Sequence, residues 1–234
     1  MGGLPRVLIG CPTSEHKRYC LSEYLSALNT IVYQNAEFII VDNSATDEYF
    51  LEIKERLTAL NITRRAFLIK DSHLLHAKDR IVHSRNLIRT FCLEQGFDYF
   101  LSLEQDVFPE PDIVQQLMQH QKDIVSALVM NYNVKDGKKI VVPMLWQEKP
   151  DVPGKIFYIS PEKLQNPGLV EVDVCSLSCV LISRKVLENV TFRYEKGFDD
   201  MMFCKDAKEQ GFRTHADTAA RPKHLPGSWN GVVL

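Results

Sequence analysis

The feature that most constrains this chain is a hydrophobic strand that ends in two acids. Residues 97–109 read FDYFLSLEQDVFP, so a mostly apolar run meets Glu104 and Asp106 and then a proline. In an extended chain, residues two apart face the same side, where these two carboxylates can bind a divalent cation together. Open α/β sheets place their ligand sites at the carboxyl ends of strands. The alternative is a polar strand end that caps the next helix, since Pro111-Asp112 has the pattern of a helix start.

Apolar strand patterns and helical patterns alternate before and after this stretch. The predicted strands are 6–10, 37–41, 65–69, 97–103, 123–129, 170–174, 178–182 and 212–216. Helices are predicted from Thr13 or Ser14 to about Val32, from Thr46, over 79–95 and over 201–210. This order predicts an α/β fold with a mixed, mostly parallel sheet flanked by helices. Between 131 and 166 the pattern loosens, which predicts a small irregular or antiparallel part in the C-terminal half.

Composition excludes several classes of function. The chain has 234 residues, 45% of them hydrophobic, which suits one large α/β domain over residues 1–234. A formal net charge of -2 gives no electrostatic footprint for nucleic acid. No apolar run reaches the roughly 20 residues that cross a bilayer. Six scattered cysteines without a CxxC pair indicate free thiols in a reducing compartment, so we expect a cytoplasmic protein.

An arginine lies within the apolar stripe of the helix that precedes the acidic strand. Ile81, Arg85, Ile88 and Cys92 share one helix face, and a buried guanidinium there requires an anionic partner. One interpretation is a structural ion pair with a nearby carboxylate. The other is that Arg85 and Arg80 point into a site beside the two acids, because the start of a helix favours phosphate. The sequence leaves both open.

A second acidic site follows Gly197, where Asp199 and Asp200 open a helix. Asp199 can cap that helix, which is a structural role. The other carboxylate then remains free as a base or as a hydrogen-bond acceptor for substrate. Further on, His224 follows the last strand and is either a surface or core histidine or a third metal ligand.

Taken together, these segments resemble the GT-A-fold glycosyltransferases that use nucleotide sugars, in particular the large family-two type. The resemblance covers nearly the whole chain and implies a role for each matching segment. Pro12 and Thr13 match the loop that touches the nucleotide, and Asp42 matches the acid that is aimed at the base. Arg80, Arg85 and Asn86 match the helix after the third strand, and Glu104-Gln105-Asp106 matches the DxD motif. Asp199-Asp200 matches the segment that carries the catalytic acid, and His224 matches the late metal-binding histidine.

Two departures from the family pattern affect this assignment. The first acid of the DxD-like motif is Glu104, which puts more weight on Asp106 as the metal ligand. Asp199 stands where many relatives have glutamate, so either aspartate can be the base, and we favour Asp200.

The resemblance implies a metal-assisted transfer of a sugar from a UDP- or GDP-linked donor to a hydroxyl group. The acceptor is a carbohydrate, a lipid or a small molecule, and the metal is Mn²⁺ or Mg²⁺. We expect residues 1–130 to bind the nucleotide and 131–234 the acceptor. An inverting mechanism with an aspartate base is expected, although a retaining one stays open; the oligomeric state is not predicted.

Three other functions share part of this pattern. A GT-A-like nucleotidyltransferase has a glycine-rich, basic loop after the first strand, where this chain has Cys11-Pro12-Thr13-Ser14. A dinucleotide-binding oxidoreductase requires GxGxxG at the same place. A non-catalytic subunit that binds a sugar nucleotide shares all of these motifs, so only an assay separates it from an enzyme.

Overall fold

The computed structural model describes residues 3–62, 65–135, 138–149, 151–195 and 197–227. Within these ranges the strands are, in chain order, β1 (Val7–Thr13), β2 (Ala36–Asp42), β3 (Ala66–Lys70), β4 (Tyr99–Leu103), β5 (Val107–Phe108), β6 (Ile124–Ala127), β7 (Met130–Lys135), β8 (Lys138–Pro143), β9 (Leu145–Lys149), β10 (Val152–Tyr158), β11 (Leu169–Val172), β12 (Val174–Cys175), β13 (Cys179–Ser183), β14 (Thr214–Asp217) and β15 (Lys223–His224). The α-helices are α1 (Leu21–Thr30), α2 (Glu48–Ala59), α3 (Ala77–Glu94), α4 (Ile113–Met118), α5 (Arg184–Asn189) and α6 (Asp199–Glu209). Among the described residues, Glu15–Cys20 and Pro161–Leu164 form 3-10 helices.

An eight-stranded mixed sheet forms the centre of the fold, in the order β11-β14-β6-β13-β4-β1-β2-β3. The pairs joining β3, β2, β1 and β4 are parallel, as is the pair of β14 with β6, whereas β13 and β11 run antiparallel to their neighbours. The predicted mixed, mostly parallel sheet is therefore confirmed. The antiparallel part is the β7–β8 hairpin and the small sheet β10-β9-β12.

The period-two alternation of the strands separates two apolar cores, one on each face of the sheet. In β1, Val7 and Ile9 belong to the core that also contains Leu25 of α1 and Ile53 of α2. Leu8 between them belongs to the other core, which includes buried residues of α3, α5 and α6. Each helix supplies one apolar stripe, so both faces of the sheet are covered, as parallel strands require.

The parallel strands β1, β2 and β4 end at one edge of the sheet, and their connections run along that edge. The connection after β1 differs from the single helix predicted from Thr13 or Ser14 to about Val32, because a 3-10 helix precedes α1. A tertiary contact accounts for this difference, since Gln105 Nε2 donates to the backbone oxygen of Lys17 at 2.7 Å. The 3-10 helix therefore lies against the segment that follows β4.

In the described part of the chain, no helix has the length and apolar character needed to cross a membrane.

The central strand pair β1–β2 leaves no room for a side chain at Gly10. A Cβ atom there would lie 1.7 Å from the backbone oxygen of Ile39. We expect Gly10→Ala to lower the free energy of unfolding by about 3 kcal/mol or more, because the clash is with backbone of the neighbouring strand. Gly168→Ala is the matched control, since a Cβ at Gly168 meets no atom within 4 Å. Urea unfolding of both variants measures the difference, and equal midpoints would contradict this account of β1.

Candidate active site

A cleft opens along the edge where β1, β2 and β4 end; its empty space, counted out to its open mouth, is about 1040 Å³. We call it the strand-end cleft. The predicted site residues that line it are Pro12, Thr13, Arg80, Arg85, Glu104, Gln105, Asp106 and His224. Segments far apart in sequence thus meet at one place, which is where open α/β sheets bind ligands.

Asp106 is the most heavily engaged acid in the strand-end cleft. Its Oδ2 accepts hydrogen bonds from Lys17 Nζ and, at 3.3 Å, from the Tyr19 hydroxyl. Its Oδ1 is buried and has no hydrogen-bond partner among the described residues. Burial acts to raise the pKa of Asp106, but His224 and Lys17 outweigh it and lower the pKa to about 2. The group is therefore an anion at any physiological pH.

His224 approaches the same carboxylate from the C-terminal segment. Pairing of β15 with β5 puts His224 opposite Val107, and Leu225 N donates to the backbone oxygen of Asp106 at 2.8 Å. The Nδ1 atom of His224 lies 2.9 Å from the Met130 carbonyl oxygen, which can only accept, so Nδ1 carries the proton of the neutral ring. Nε2 is then left facing Asp106 Oδ2 at 3.7 Å.

These two side chains fit a divalent cation that is bound jointly with a ligand. A buried carboxylate oxygen without a partner and a ring nitrogen oriented through its other nitrogen are suitable metal donors. In the described residues, no group of three His, Cys, Asp or Glu side chains is close enough to hold a metal alone. Mg²⁺ in particular is commonly held by one or two protein groups plus phosphate oxygens and water.

Glu104, the other acid of the motif, is turned towards Arg85. Its Oε1 lies 2.8 Å from Arg85 Nη2, while Nη1 donates to Ser102 Oγ at 3.0 Å. On its remaining side, Arg85 Nε lies 2.7 Å from Asp199 Oδ2, a close ion pair that lacks the alignment of a directed hydrogen bond. The Arg85 side chain is only 4% exposed. Arg85 is therefore in a buried ion pair and also lines the strand-end cleft, and its role in binding a ligand stays a prediction.

Asp199 and Asp200 lie behind Arg85 and are not among the described residues that line the strand-end cleft. Asp199 instead borders a small hollow, formed also by Ala77, Ile81 and Phe198, that adjoins the cleft; we call it the Phe198 hollow. The helix begins two residues earlier than predicted, so Phe198 takes the capping position and Asp199 belongs to the first turn. The expectation that Asp199 caps this helix is therefore wrong.

The pKa of Asp200 is raised to about 7, chiefly by burial and secondly by the neighbouring charge of Asp199. A backbone N–H, that of Met201, donates to Oδ1 at 2.7 Å and opposes this rise, as does the charge of Arg85. A carboxylate with such a pKa can accept a proton near neutral pH, which is what a general base requires.

Other predicted residues mainly hold the frame of the site. Asp42 is fully buried, accepts from Lys70 Nζ at 2.8 Å and from Ser44 N at 3.0 Å, and does not line the strand-end cleft among the described residues. Asn86 exchanges two hydrogen bonds with the backbone of Phe192, at 2.7 and 3.0 Å. Asn43, next to Asp42, is the residue of that strand end that lines the cleft.

Arg80 and Gln105 line the strand-end cleft but also brace its walls. Arg80 Nη1 donates to the carbonyl oxygens of Leu74 and Leu75, at 2.6 and 3.0 Å, which fixes the loop before α3. Gln105 accepts hydrogen bonds from the hydroxyls of Thr13 and, at 3.1 Å, Tyr49.

Sequence reasoning missed Lys17, Tyr19 and Asn43, which all line the strand-end cleft. The available signal was their position, since Lys17 and Tyr19 follow β1 and Asn43 follows β2 directly. Lys17 and Tyr19 were missed because a regular helix after Thr13 was predicted, and such a helix gives no reason for these side chains to face Asp106.

No protein-family model matches this sequence, and no curated protein matches it in sequence. Solved structures do match. GalNAc-T7 with UDP, GalNAc and Mn²⁺ has a TM-score of 0.69 at 10% identity, over 98% of this chain and 45% of that one. Residues 1–349 of TarS from S. aureus with UDP-GlcNAc have a TM-score of 0.56 at 12% identity, over 95% and 60%. The mannosyltransferase PcManGT from Pyrobaculum calidifontis with GDP-Man and Mn²⁺ has a TM-score of 0.60 at 15% identity, over 95% and 57%.

This chain thus spans about half the length of the three chains in these solved structures and matches them over nearly all of its own length. At such low identity the likeness shows the fold, which is the predicted GT-A fold.

Asp→Asn substitutions, which remove one negative charge each, separate the roles of Asp199 and Asp200. The folded-state pKa of Asp200 is raised, so the free energy of unfolding falls as pH rises from about 4 to about 7. We expect Asp200→Asn to be more stable than the wild type at pH 8, by about 1–2 kcal/mol, and to match it at pH 4.

Asp199→Asn removes a partner of buried Arg85, and we expect it to lose about 1–3 kcal/mol of folding stability at pH 8. Urea unfolding at both pH values measures this. A destabilised Asp200→Asn at pH 8 would refute the burial argument.

Proposed function

We propose that this chain is a glycosyltransferase that moves a sugar from a UDP- or GDP-linked donor to an acceptor hydroxyl, with Mn²⁺ or Mg²⁺. The observation that carries the proposal is the Asp106 carboxylate in the strand-end cleft, whose Oδ2 faces His224 Nε2 at 3.7 Å and whose Oδ1 has no hydrogen-bond partner among the described residues. Two of the structural neighbours, GalNAc-T7 and PcManGT, were solved with Mn²⁺ and with UDP or a GDP-linked sugar. Their fold is the fold of this chain.

The donor side of the proposed site consists of backbone and cationic groups. Pro12 and Thr13 at the end of β1, with Asn43, border the space for the nucleoside, and Asp42 supports that wall from behind. Arg80 and Arg85 turn positive charge towards the diphosphate. Asp106 and His224 would hold a divalent cation, which would supply Lewis-acid neutralisation of the departing diphosphate. Glu104 contributes by holding Arg85 rather than by binding the metal.

The proposed reaction needs a base for the acceptor. The acceptor oxygen forms a bond to the anomeric carbon, the bond from that carbon to the phosphate oxygen breaks with its electron pair, and the acceptor proton passes to the Asp200 carboxylate. Asp199 orients Arg85 between the donor and the base. An inverting outcome follows if Asp200 acts on the face opposite to the diphosphate.

We place the acceptor in the half formed by residues 131–234 and the nucleotide mainly in 1–130. The acceptor enters beside the Phe198 hollow, which shares Ala77 and Ile81 with the strand-end cleft. A carbohydrate, a lipid headgroup or a small molecule with a free hydroxyl group suits this placement. All six cysteines are buried and unpaired, in agreement with the expected reducing compartment, and the cytoplasmic location stays a prediction.

A non-catalytic subunit that binds a sugar nucleotide is the competing function. The position of Asp199 and Asp200 behind Arg85 favours it, because a base must reach the acceptor. Binding and transfer therefore need separate measurements.

Binding is tested by thermal unfolding with UDP- and GDP-linked sugars, with and without Mn²⁺. At a ligand concentration 100-fold above Kd we expect a stabilisation of about 2.7 kcal/mol, or roughly 5–10 °C in Tm for a chain of this length. Asp106→Asn should abolish the part of the shift that depends on Mn²⁺. Glu110→Gln, an exposed acid near the end of the same segment, serves as the matched control. A Mn²⁺-dependent shift that persists in Asp106→Asn would place the metal elsewhere.

Transfer is tested by product formation from the donor that binds. We expect kcat to rise with pH around a midpoint near 7, because Asp200 must be deprotonated to accept the proton. Asp200→Asn should retain donor binding and lose about 10²- to 10⁴-fold in kcat. Full loss in Asp199→Asn with activity retained in Asp200→Asn would reverse the two roles. Donor binding without any turnover by the wild type, across acceptors, would support the non-catalytic function.

A further inference from the structure

Lys17 is a cation in the strand-end cleft that the proposed function has not used. It lies on the 3-10 helix Glu15–Cys20, and its Nζ donates to Asp106 Oδ2. The Lys17 side chain is 24% exposed, so most of it is removed from solvent. Its backbone oxygen is fixed by Gln105 Nε2, one residue before Asp106. The contact is therefore held from both the backbone and the side chain.

The two acids of the Glu104-Gln105-Asp106 segment each pair with a different cationic side chain. Glu104 pairs with Arg85 at 2.8 Å, and Asp106 pairs with Lys17. Arg85 is locked by three partners, including Asp199. Lys17 differs in chemistry, because an ammonium on a flexible four-carbon chain can change partner without moving the backbone.

The position of Lys17 conflicts with a metal ion. His224 Nε2 approaches Asp106 on the Oδ2 side, at 3.7 Å, and this is the oxygen that Lys17 holds. A divalent cation shared by His224 and Asp106 must compete with the Lys17 ammonium for that oxygen. The cation and the ammonium also repel each other when both lie beside the same carboxylate. An ammonium displaced from Asp106 is left partly buried with only Glu104 as a nearby carboxylate, which Arg85 already engages, and this is unfavourable.

We propose that Lys17 is an exchangeable counter-ion. In the donor-free protein it occupies the carboxylate of the metal site, and when donor and metal bind together it moves to the diphosphate. Metal and nucleotide then bind with positive coupling, since each removes the obstacle to the other. This inference rests on the proposed function and concerns the regulation of the same site.

The coupling follows from the partners available in each state. Metal alone has two protein donors and must displace Lys17 from Asp106, while the other carboxylate that acts on Lys17, that of Glu104, already pairs with Arg85. Diphosphate alone meets a lysine already paired with Asp106. With both bound, Lys17 faces phosphate oxygens, and Asp106 and His224 face the metal. Each charge then has a partner.

The test measures Mn²⁺ binding directly, by the electron paramagnetic resonance signal of free Mn²⁺, with and without UDP or GDP. We expect Lys17→Met and Lys17→Gln to bind Mn²⁺ about tenfold more tightly than the wild type when no nucleotide is present. We also expect the gain in Mn²⁺ affinity on adding nucleotide to shrink severalfold in both. Lys17→Arg keeps the charge and should bind Mn²⁺ alone as weakly as the wild type. Lys54→Met, an exposed lysine of α2, controls for net charge.

The outcomes separate this inference from the function on which it rests. Mn²⁺ affinity that is unchanged or weaker in both neutral Lys17 variants, with urea unfolding showing a folded protein, would overturn the role of Lys17 alone. Mn²⁺ binding that survives in Asp106→Asn would overturn the metal site and the proposed function with it. Tighter binding in the Lys17 variants that is abolished by adding Asp106→Asn supports both.

Discussion

The burial of one guanidinium governs how the two halves of this chain meet. Arg85 lies within the apolar stripe of α3, where an unpaired charge is strongly unfavourable, and its anions come from both halves of the chain. Glu104 arrives at the end of β4, and Asp199 arrives at the start of α6, nearly a hundred residues later. Satisfying Arg85 therefore fixes where α6 begins relative to the central sheet. The proposed base and the proposed donor site take their relative position from that ion pair.

Much of the fold could be predicted from the sequence, because it depends on local pattern. Alternating apolar strands and amphipathic helices indicate a mostly parallel sheet whatever the exact register, and β4 ends at its two acids in the sequence as in the structure. Arg85 is a similar case, since its place in an apolar stripe requires an anion even before the anion is known. Local sequence pattern shows that Arg85 needs an anionic partner, whereas only the tertiary structure shows that Asp199 is one of its partners.

The features of the site that local sequence pattern could not supply depend on contacts across the sheet. Lys17 and Tyr19 reach Asp106 because a 3-10 turn is held by Gln105, which is distant in sequence. Asp42 carries the motif position expected of a nucleotide contact, yet Lys70 on the adjacent strand holds its carboxylate in the frame. Strand order and side-chain pairing decide both cases, and neither is readable from periodicity along a single strand.

The two-residue pairing of β15 with β5 has a consequence for which part of the chain completes the site. The eight strands of the central sheet all lie before residue 218, so a chain cut after residue 222 contains every strand of that sheet. Asp106 then has its neighbours from the body of the sheet but lacks the imidazole and the backbone clamp from Leu225. The central sheet and the surroundings of the proposed metal ligand therefore depend on different parts of the chain.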